Sequence, residues 1–239
     1  MSHRVFHVKE VAAHLHLTPK DVERLVKRGE IPHERHGERL LFRRQEIDAW
    51  ASQRIMSLPE ERLASYHAAS SARVQAISNH TALIPCLLAP GRISPALESR
   101  TRASILRAMV AMADATGQLC DPSELLAAIE EREKLCSTAL PGGVALLHPR
   151  HHTPYMTDES FIVLGRVVQP IHFGAMDGLP TDLFFLVCCQ DDHLHLHTLA
   201  RLCTLCQKTG VLAELRAAAT ADAMFYAIAA AEEQLLHRM

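Results

Sequence analysis

The feature that most constrains the fold is an alternation of helical and strand patterns that begins near residue 82. Apolar residues recur at helical spacing over residues 100–115 and 123–133. Short apolar runs follow near residues 144–147, 162–168 and 183–189, and the pattern after them is helical. Because helices and strands that alternate along a chain usually pack as layers, this region is predicted to form an α/β body.

A smaller unit precedes the body, and its first part predicts two helices. Apolar residues recur at helical spacing over residues 8–15. Thr18 then supplies a capping hydroxyl, Pro19 a first-turn proline and Asp21 an acid three residues after the cap. These signals start a second helix, which Gly29 is expected to end.

The second part of this unit predicts a wing and a third helix. Residues 31–42 form two short strand patterns around a turn at residues 36–38, and residues 44–54 return to helical spacing. Residues 1–56 contain 11 Lys and Arg against 8 Asp and Glu, whereas the remainder contains 14 against 19, and the whole chain has a formal net charge of −2. A basic head on an acidic body is typical of a module that binds a polyanion.

The runs V-K-E-V-A-A-H-L-H-L-T-P-K-D-V-E-R-L-V-K-R-G-E-I-P and R-L-L-F-R-R-Q-E-I-D-A-W resemble the excisionase-like branch of the winged MerR-type DNA-binding domains. The resemblance implies that the second helix of this winged helix-turn-helix unit enters a major groove and that the wing approaches phosphates or the minor groove. The alternative is a charged helix pair used for protein contact. The candidate DNA-binding residues are Thr18, Lys20, Arg24, Lys27, Arg35, Arg39 and Arg43.

The segment between the two units predicts a connecting helix. Residues 57–61 contain helix-start signals, and a thin apolar stripe continues through an Ala- and Ser-rich stretch. Pairing of this helix with a second copy in a homodimer is equally compatible with the pattern. The expected division is therefore a DNA-binding domain over residues 1–56, a helical linker over 57–82 and a body over 83–239.

Residues 137–148 form the most informative short segment of the body. A turn of small residues leads into a short apolar strand that ends at His148, and His193, His195 and His197 follow some fifty residues later. A histidine at a strand end is expected to be exposed enough to attack phosphorus, while the apolar residues before it anchor the backbone. The layout predicts a phosphoryl-accepting imidazole with an imidazole neighbour.

Three ordered segments of the body carry a second resemblance: E-E-R-E-K-L-C-S-T-A-L-P-G-G-V-A-L-L-H, P-I-H-F-G-A-M-D-G-L-P-T-D-L-F-F-L-V and H-L-H-T-L-A-R-L. They resemble the fructose/mannitol-type enzyme IIA domains of the bacterial phosphotransferase system, and the nitrogen-regulatory branch most of all, over roughly residues 83–236. The resemblance implies a mixed sheet flanked by helices. It also implies a phosphoryl group received from a histidine phosphocarrier protein (HPr-like).

By position, the resemblance implies that His148 is the phosphorylated histidine, His195 the second active-site histidine and Arg132 the active-site arginine. A neutral imidazole nitrogen can attack phosphorus without first losing a proton. A guanidinium can hold two phosphoryl oxygens, and a second imidazole can donate to a third. Ser137 and Thr138 are candidates for a hydroxyl contact with the phosphoryl group, or they simply form the turn.

The sequence departs from the family pattern on both sides of the histidine. The family usually has proline before it and glycine after it, whereas this chain has Leu147 and Pro149. Proline has no amide hydrogen, and one lost donor to a phosphoryl oxygen can matter by ~3 kcal/mol. A degenerate domain that only binds partners is therefore a second hypothesis.

Histidines and cysteines raise the question of a metal. The imidazoles form two clusters in the sequence: His148, His151 and His152, and then His193, His195 and His197. A zinc site could use such residues, but their spacing does not specify a tetrahedral set of ligands. We expect neither a metal nor a cofactor. Cys203 and Cys206 form a C-x-x-C inside a Leu-rich helical pattern, which favours a role in the core. No membrane span or secretory signal is evident, which predicts a cytoplasmic protein with reduced thiols.

Together these patterns predict a DNA-binding regulator whose body accepts a phosphoryl group on His148 and couples the state of the phosphotransferase system to transcription. Whether the body acts as a IIA-type phosphotransferase is left open. One alternative is a phosphocarrier that passes phosphate to an enzyme IIB for sugar uptake. The others are a non-phosphorylated regulator and, for the head alone, a role in phage or plasmid excision.

Overall fold

The computed structural model describes residues 5–15, 17–37, 39–57, 82–150 and 156–237, and only the backbone of Ser57 and His193. The predicted linker helix over residues 57–82 lies outside the described residues except at its two ends. His151 and His152 also lie outside them. Outside these gaps the chain forms a small winged unit, called the head below, and a larger α/β body.

The head has the predicted order of helix, turn, helix, wing and helix. Its three strands form an antiparallel sheet in the order β1-β3-β2. The two-residue strand β1 was not predicted, because so short a segment shows no alternation. The elements are β1 (Val5–Phe6), α1 (Val8–His14), α2 (Pro19–Lys27), β2 (Glu34–His36), β3 (Arg39–Arg43) and α3 (Arg44–Ser57).

Helix α2 begins and ends at the residues that the sequence indicates. The Asp21 amide donates to the Thr18 hydroxyl over 3.2 Å, and the Thr18 amide donates to the Asp21 carboxylate over 3.3 Å. This reciprocal capping box satisfies amides that the first turn leaves unpaired. Gly29 follows the helix with a φ of 67°, a left-handed conformation that suits glycine.

The body contains a five-stranded mixed sheet in the order β4-β7-β8-β6-β5. β4 is parallel to β7 and β6 is parallel to β8, whereas β7–β8 and β5–β6 are antiparallel. The elements are α4 (Ile84–Leu87), β4 (Ile93–Leu97), α5 (Arg102–Asp114), α6 (Pro122–Leu135), β5 (Ala139–Leu140), β6 (Val144–Leu147), β7 (Phe161–Ile171), β8 (Thr181–Cys188), α7 (Asp192–Lys208), α8 (Val211–Ala217) and α9 (Ala221–His237).

Helices cover both faces of this sheet. Alternate side chains of β6 and β8 belong to two different apolar clusters, one shared with α5 and α6 and the other with α7 and α9. Close packing on the first face requires Gly165 in β7, where a β-carbon would collide with Leu97 and Met109. The short strands β4 and β5 were missed by the sequence prediction, because β4 pairs with β7, which is distant in the chain, and β5 has too few residues to show alternation.

The head and the body share one apolar cluster. Ile47, Ala51 and Ile55 of α3 belong to the same buried cluster as Leu196 and Leu199 of α7. Helix α3 lies against α7, and its buried residues are Ile47, Asp48, Ala51, Ser52 and Ile55. The arrangement therefore places the third helix of the head beside the helix that carries His195.

The C-x-x-C pair lies in the core, as its helical pattern indicates. Cys203 and Cys206 are buried in α7, and burial raises the pKa of the Cys206 thiol to about 12 and that of Cys203 further. Protonated buried thiols behave as small apolar groups. Among the described helices, none combines the length and the apolar character that a membrane crossing needs.

Candidate functional site

The topology of the sheet brings His148 and His195 to the same edge. His148 directly follows β6, and His195 lies in the first turn of α7, which follows β8. Because β6 and β8 are parallel neighbours, their carboxyl ends meet at one edge. The two imidazole rings lie with their centroids 5.1 Å apart and their planes tilted by 53°.

The hydrogen bonds of His148 define its tautomer. Nδ1 lies 2.8 Å from the Leu146 carbonyl oxygen, which can only accept, so Nδ1 carries the proton. Nε2 then has a lone pair, and it accepts a hydrogen bond from Arg132 Nε over 3.2 Å. The backbone thus holds the ring in the form in which Nε2 is the nucleophilic nitrogen.

Arg132 reaches the site from the last turn of α6, with only 2% of its surface exposed. Nη1 donates to the Cys136 carbonyl oxygen over 2.9 Å, which anchors the guanidinium. Nη2 is buried and has no hydrogen-bond partner among the described residues. A buried cationic donor without an acceptor is costly, and an anionic ligand beside His148 would satisfy it.

The two hydroxyl groups of the loop after α6 already donate hydrogen bonds within the protein. The Ser137 hydroxyl donates to the Phe173 carbonyl oxygen over 2.6 Å, and the Thr138 hydroxyl donates to the Glu133 carboxylate. Burial raises the pKa of the Glu133 carboxyl, against the hydrogen bonds from Thr138 and the nearby arginines. Both hydroxyl protons therefore already have acceptors in the protein. The predicted contacts with a phosphoryl group would require these hydrogen bonds to rearrange.

His195 faces a residue of the head. Its Nε2 lies 3.3 Å from the Ser52 hydroxyl oxygen, and this hydroxyl donates its own proton to the Asp48 carbonyl oxygen over 3.0 Å. The Ser52 oxygen therefore accepts from His195, which makes Nε2 of His195 a donor. The site thus combines one nucleophilic nitrogen with donors from a guanidinium and a second imidazole.

Comparison with known families agrees with this geometry. The family model "Phosphoenolpyruvate-dependent sugar phosphotransferase system, EIIA 2" matches residues 87–231, more than half of the chain. The chain belongs to this EIIA family. A second family model, "Helix-turn-helix domain", matches residues 5–55. The molecule therefore joins a helix-turn-helix domain to an EIIA domain.

Curated relatives match the EIIA domain. The nitrogen regulatory protein of Bradyrhizobium diazoefficiens is 34% identical over 146 residues, which are 60% of this chain and 92% of that protein. The fructose-specific EIIABC component of Bacillus subtilis is 29% identical over 58% of this chain but only 22% of its own length. The similarity thus extends over nearly all of one nitrogen regulatory protein and over one part of a longer EIIABC component.

Solved structures support the fold. The nitrogen regulatory protein IIA-Ntr of Neisseria meningitidis superposes with a TM-score of 0.56 at 21% identity, over 62% of this chain and 99% of its own. The mannitol IIA of Escherichia coli gives a TM-score of 0.51 at 17% identity, over 59% and 98%. The mixed sheet flanked by helices is therefore the EIIA fold that the sequence predicted.

One expectation about the site was wrong. His148 was expected to be exposed enough for attack, yet only 1% of its surface is accessible, as is also true of His195. The sequence prediction considered the EIIA domain alone, whereas α3 of the head lies against α7 and places Ser52 on His195. Arg44, Asp48 and Ser52 were not predicted, because nothing in their local pattern indicates a contact with a distant domain.

The other histidines that the structure describes form no recognisable metal site. Within the part of the chain that the structure describes, no group of three or more His, Cys, Asp or Glu side chains is arranged to hold a metal ion. His197 is buried on α7, two residues beyond His195. Arg132, His148 and His195 lie together.

The candidate DNA-binding residues belong to α2, its N-cap and the wing of the head. Each of these seven side chains is exposed, whereas the apolar side of α2 packs into the head. Some pair with acids of the head: Arg24 contacts Asp21 at 3.3 Å, and Arg43 contacts Glu34 at 2.6 Å. The seven candidates are Thr18, Lys20, Arg24, Lys27, Arg35, Arg39 and Arg43.

Proposed function

We propose that this chain is a regulator in which Nε2 of His148 accepts a phosphoryl group from a histidine phosphocarrier protein while the head binds DNA. The observation that carries the proposal is the pairing of Arg132 with the nucleophilic nitrogen of His148. The guanidinium is buried beside that nitrogen, and its Nη2 lacks an acceptor among the described residues. A phosphoryl group on Nε2 would supply oxygens where these donors lie.

The proposed step is a displacement at phosphorus. The lone pair of His148 Nε2 forms a new N–P bond as the N–P bond of the donor breaks, and the electrons of that bond remain on the donor's imidazole. The proton on Nδ1 stays hydrogen-bonded to the Leu146 carbonyl oxygen. Arg132 and Nε2–H of His195 hold the phosphoryl oxygens, because Pro149 has no amide hydrogen to donate.

Reconstituted phosphotransfer tests the acceptor. The full chain is incubated with phosphoenolpyruvate, enzyme I and the phosphocarrier protein, and acid-labile phosphate is measured by intact mass over time. We expect label on the natural chain and on His172→Gln, since His172 is exposed and outside the site. His148→Ala should remain unlabelled; equal labelling of this variant would refute the assignment.

The DNA-binding half of the proposal rests on the helix-turn-helix match and on the exposed basic side chains of α2 and the wing. Contacts with phosphates release counterions, so affinity should fall steeply as salt rises. A random-sequence duplex pool can be titrated at several salt concentrations by fluorescence anisotropy. Absence of binding at low salt, or binding that is insensitive to salt, would favour the head as a protein-contact module.

Regulation is favoured over transport by the similarity to whole nitrogen regulatory proteins and by the helix-turn-helix domain. The transport alternative predicts that the phosphorylated chain passes its phosphoryl group to an enzyme IIB. A mixture of the labelled chain with soluble enzyme IIB domains distinguishes the two. Rapid and complete transfer would support the phosphocarrier role, whereas retention of the label would support the regulator.

A further inference from the structure

Helix α3 of the head occupies the face of the EIIA domain that carries the phosphoacceptor. We infer that α3 is an internal lid, and that a docked head and a phosphoryl group on His148 exclude one another. The inference rests on the proposed role of His148 and adds the regulation of that site. Three contacts between the head and α7 carry it.

The first contact is the hydrogen bond from Nε2 of His195 to the Ser52 hydroxyl, at 3.3 Å. Both groups are buried, with 1% of His195 and 4% of Ser52 exposed. A phosphoryl group on His148 would draw on the same donor, since the two rings are adjacent. The Ser52 oxygen therefore takes the place of a phosphoryl oxygen on His195 in the docked state.

The second contact is an ion pair between the domains. Arg44 Nη2 donates to the Asp192 carboxylate over 2.6 Å, and Asp192 lies in the first turn of α7, three residues before His195. The Arg44 guanidinium also lies 3.6 Å from the Asp48 carboxylate. This pair holds the first turn of α3 to the first turn of α7, next to the candidate site.

The charges around this ion pair suggest why phosphorylation would release the head. Asp48 and Asp192 are both carboxylates near the site, and burial raises the pKa of Asp48 against the hydrogen bond with His14. A phosphoryl group adds nearly two negative charges beside them. Asp48 belongs to the head, so its repulsion from the phosphoryl group and the disruption of the Ser52 hydrogen bond both favour the undocked state, which is the differential interaction that a switch requires.

The third contact is apolar and explains why the unmodified head stays docked. Ala51 and Ile55 of α3 are buried in the cluster that includes Leu196 and Leu199 of α7. A phosphocarrier protein that approaches His148 must displace this surface. The exposed residues of α2 and the wing take no part in it, so docking leaves the candidate DNA-binding face accessible.

The rate of phosphoryl transfer to the full chain tests the lid. Arg44→Ala and Asp192→Asn each remove the ion pair from one side, and Ser52→Ala removes only the hydroxyl on His195. Phosphocarrier-dependent labelling of Arg44→Ala and Asp192→Asn should be roughly tenfold faster than that of the natural chain, and that of Ser52→Ala moderately faster. Arg28→Ala is the matched control, because Arg28 is exposed and pairs with Glu30 inside the head, so its rate should be unchanged.

A second readout needs no phosphotransferase components. Diethyl pyrocarbonate acylates accessible unprotonated imidazoles, and peptide mass mapping reports each histidine. His148 and His195 should react slowly in the natural chain and roughly tenfold faster in Arg44→Ala and Asp192→Asn, relative to the exposed His172 in the same sample. Circular dichroism and thermal melting confirm that the variants remain folded.

The two readouts separate the lid from the phosphoacceptor. Faster acylation in the variants without phosphoryl transfer in any protein would support the lid and refute the proposed function. Natural rates of both reactions in Arg44→Ala, Asp192→Asn and Ser52→Ala would overturn the lid and leave the phosphoacceptor standing. Faster acylation together with an unchanged transfer rate would also overturn the lid, because the docked head would then not limit access to His148.

Discussion

One ion pair of the head and one ion pair of the body have opposite environments. In the head, Arg28 and Glu30 form an ion pair with 64% and 40% of their side chains exposed. In the body, Arg201 and Glu232 pair over 3.1 Å with 1% and 0% exposed. Exposed charges are screened by water and salt and act on incoming partners, whereas buried charges fix local geometry and are costly to leave unpaired.

The largest effect should come from breaking the buried pair. Glu232 accepts hydrogen bonds from the backbone amides of Leu83 and Ile84 as well as from Arg201. Glu232→Ala would remove the carboxylate from the buried Arg201 guanidinium and take the acceptor from two backbone amides, so the free energy of unfolding should fall by about 3–5 kcal/mol. Urea denaturation measures it.

Two matched variants bound this prediction. Glu232→Gln keeps an acceptor for the amides and should lose less than Glu232→Ala. Arg28→Ala removes one partner of the exposed pair and should change stability by less than about 1 kcal/mol. Equal losses of stability for Glu232→Ala and Arg28→Ala would show that burial does not determine how much each ion pair contributes.

The next largest effect concerns the buried arginine of the site. Arg132→Ala should lower the rate of phosphoryl acceptance by about 10²–10³-fold, the size expected when one positioned donor is removed. Arg132→Lys should restore little, because an ammonium cannot donate to His148 and to the Cys136 carbonyl with the same geometry. Quenched-flow labelling provides the rates, and full recovery in Arg132→Lys would refute a specific role for the guanidinium.

A smaller effect, and one of a different kind, is expected on the exposed face of the head. The double variant Lys20→Ala, Arg24→Ala should bind DNA at least about tenfold more weakly at low salt, and the salt slope should fall by about one for each phosphate that the variant no longer neutralises. Stability should change little. Anisotropy titrations give the slope, and Arg107→Ala on the body is the control, since this residue is exposed far along the chain from the head.

The smallest effect concerns the cap of α2. Thr18→Ala should destabilise the head by about 1 kcal/mol through loss of the capping hydroxyl. Hydrogen bonds from the Thr18 hydroxyl and amide hold the pKa of Asp21 below its usual 3.8. This carboxylate therefore contributes stability above pH 3.8 that is lost as the pH falls through its lowered folded pKa. In thermal melts, the melting temperature of Asp21→Asn should depend less on pH below 3.8 than that of the natural chain. An equal loss of stability at acid pH in both proteins would contradict the assignment.

Local patterns predicted the elements that have local causes. The capping signals at Thr18 and Asp21 placed the start of α2, and the apolar run before His148 placed β6. The two-residue strand β1 was missed, because it is stabilised by pairing with the distant strand β3, and β5 was missed because two residues are too few to show alternation. Boundaries with nearby causes were therefore predictable, and pairings at the sheet edges were not.

The sequence by itself determined the α/β body, the winged head and the candidate residues Arg132, His148 and His195, because periodicity, caps and ordered motifs are properties of neighbouring residues. Only the tertiary structure decided that the strand-end imidazole is buried and that Ser52 and Arg44 of the head meet α7. The reason is physical: exposure depends on what packs against a residue. Ser52 and His195 are 143 residues apart along the chain, and Arg44 and Asp192 are 148 residues apart. Contacts between residues so distant in the chain cannot be predicted from local sequence patterns.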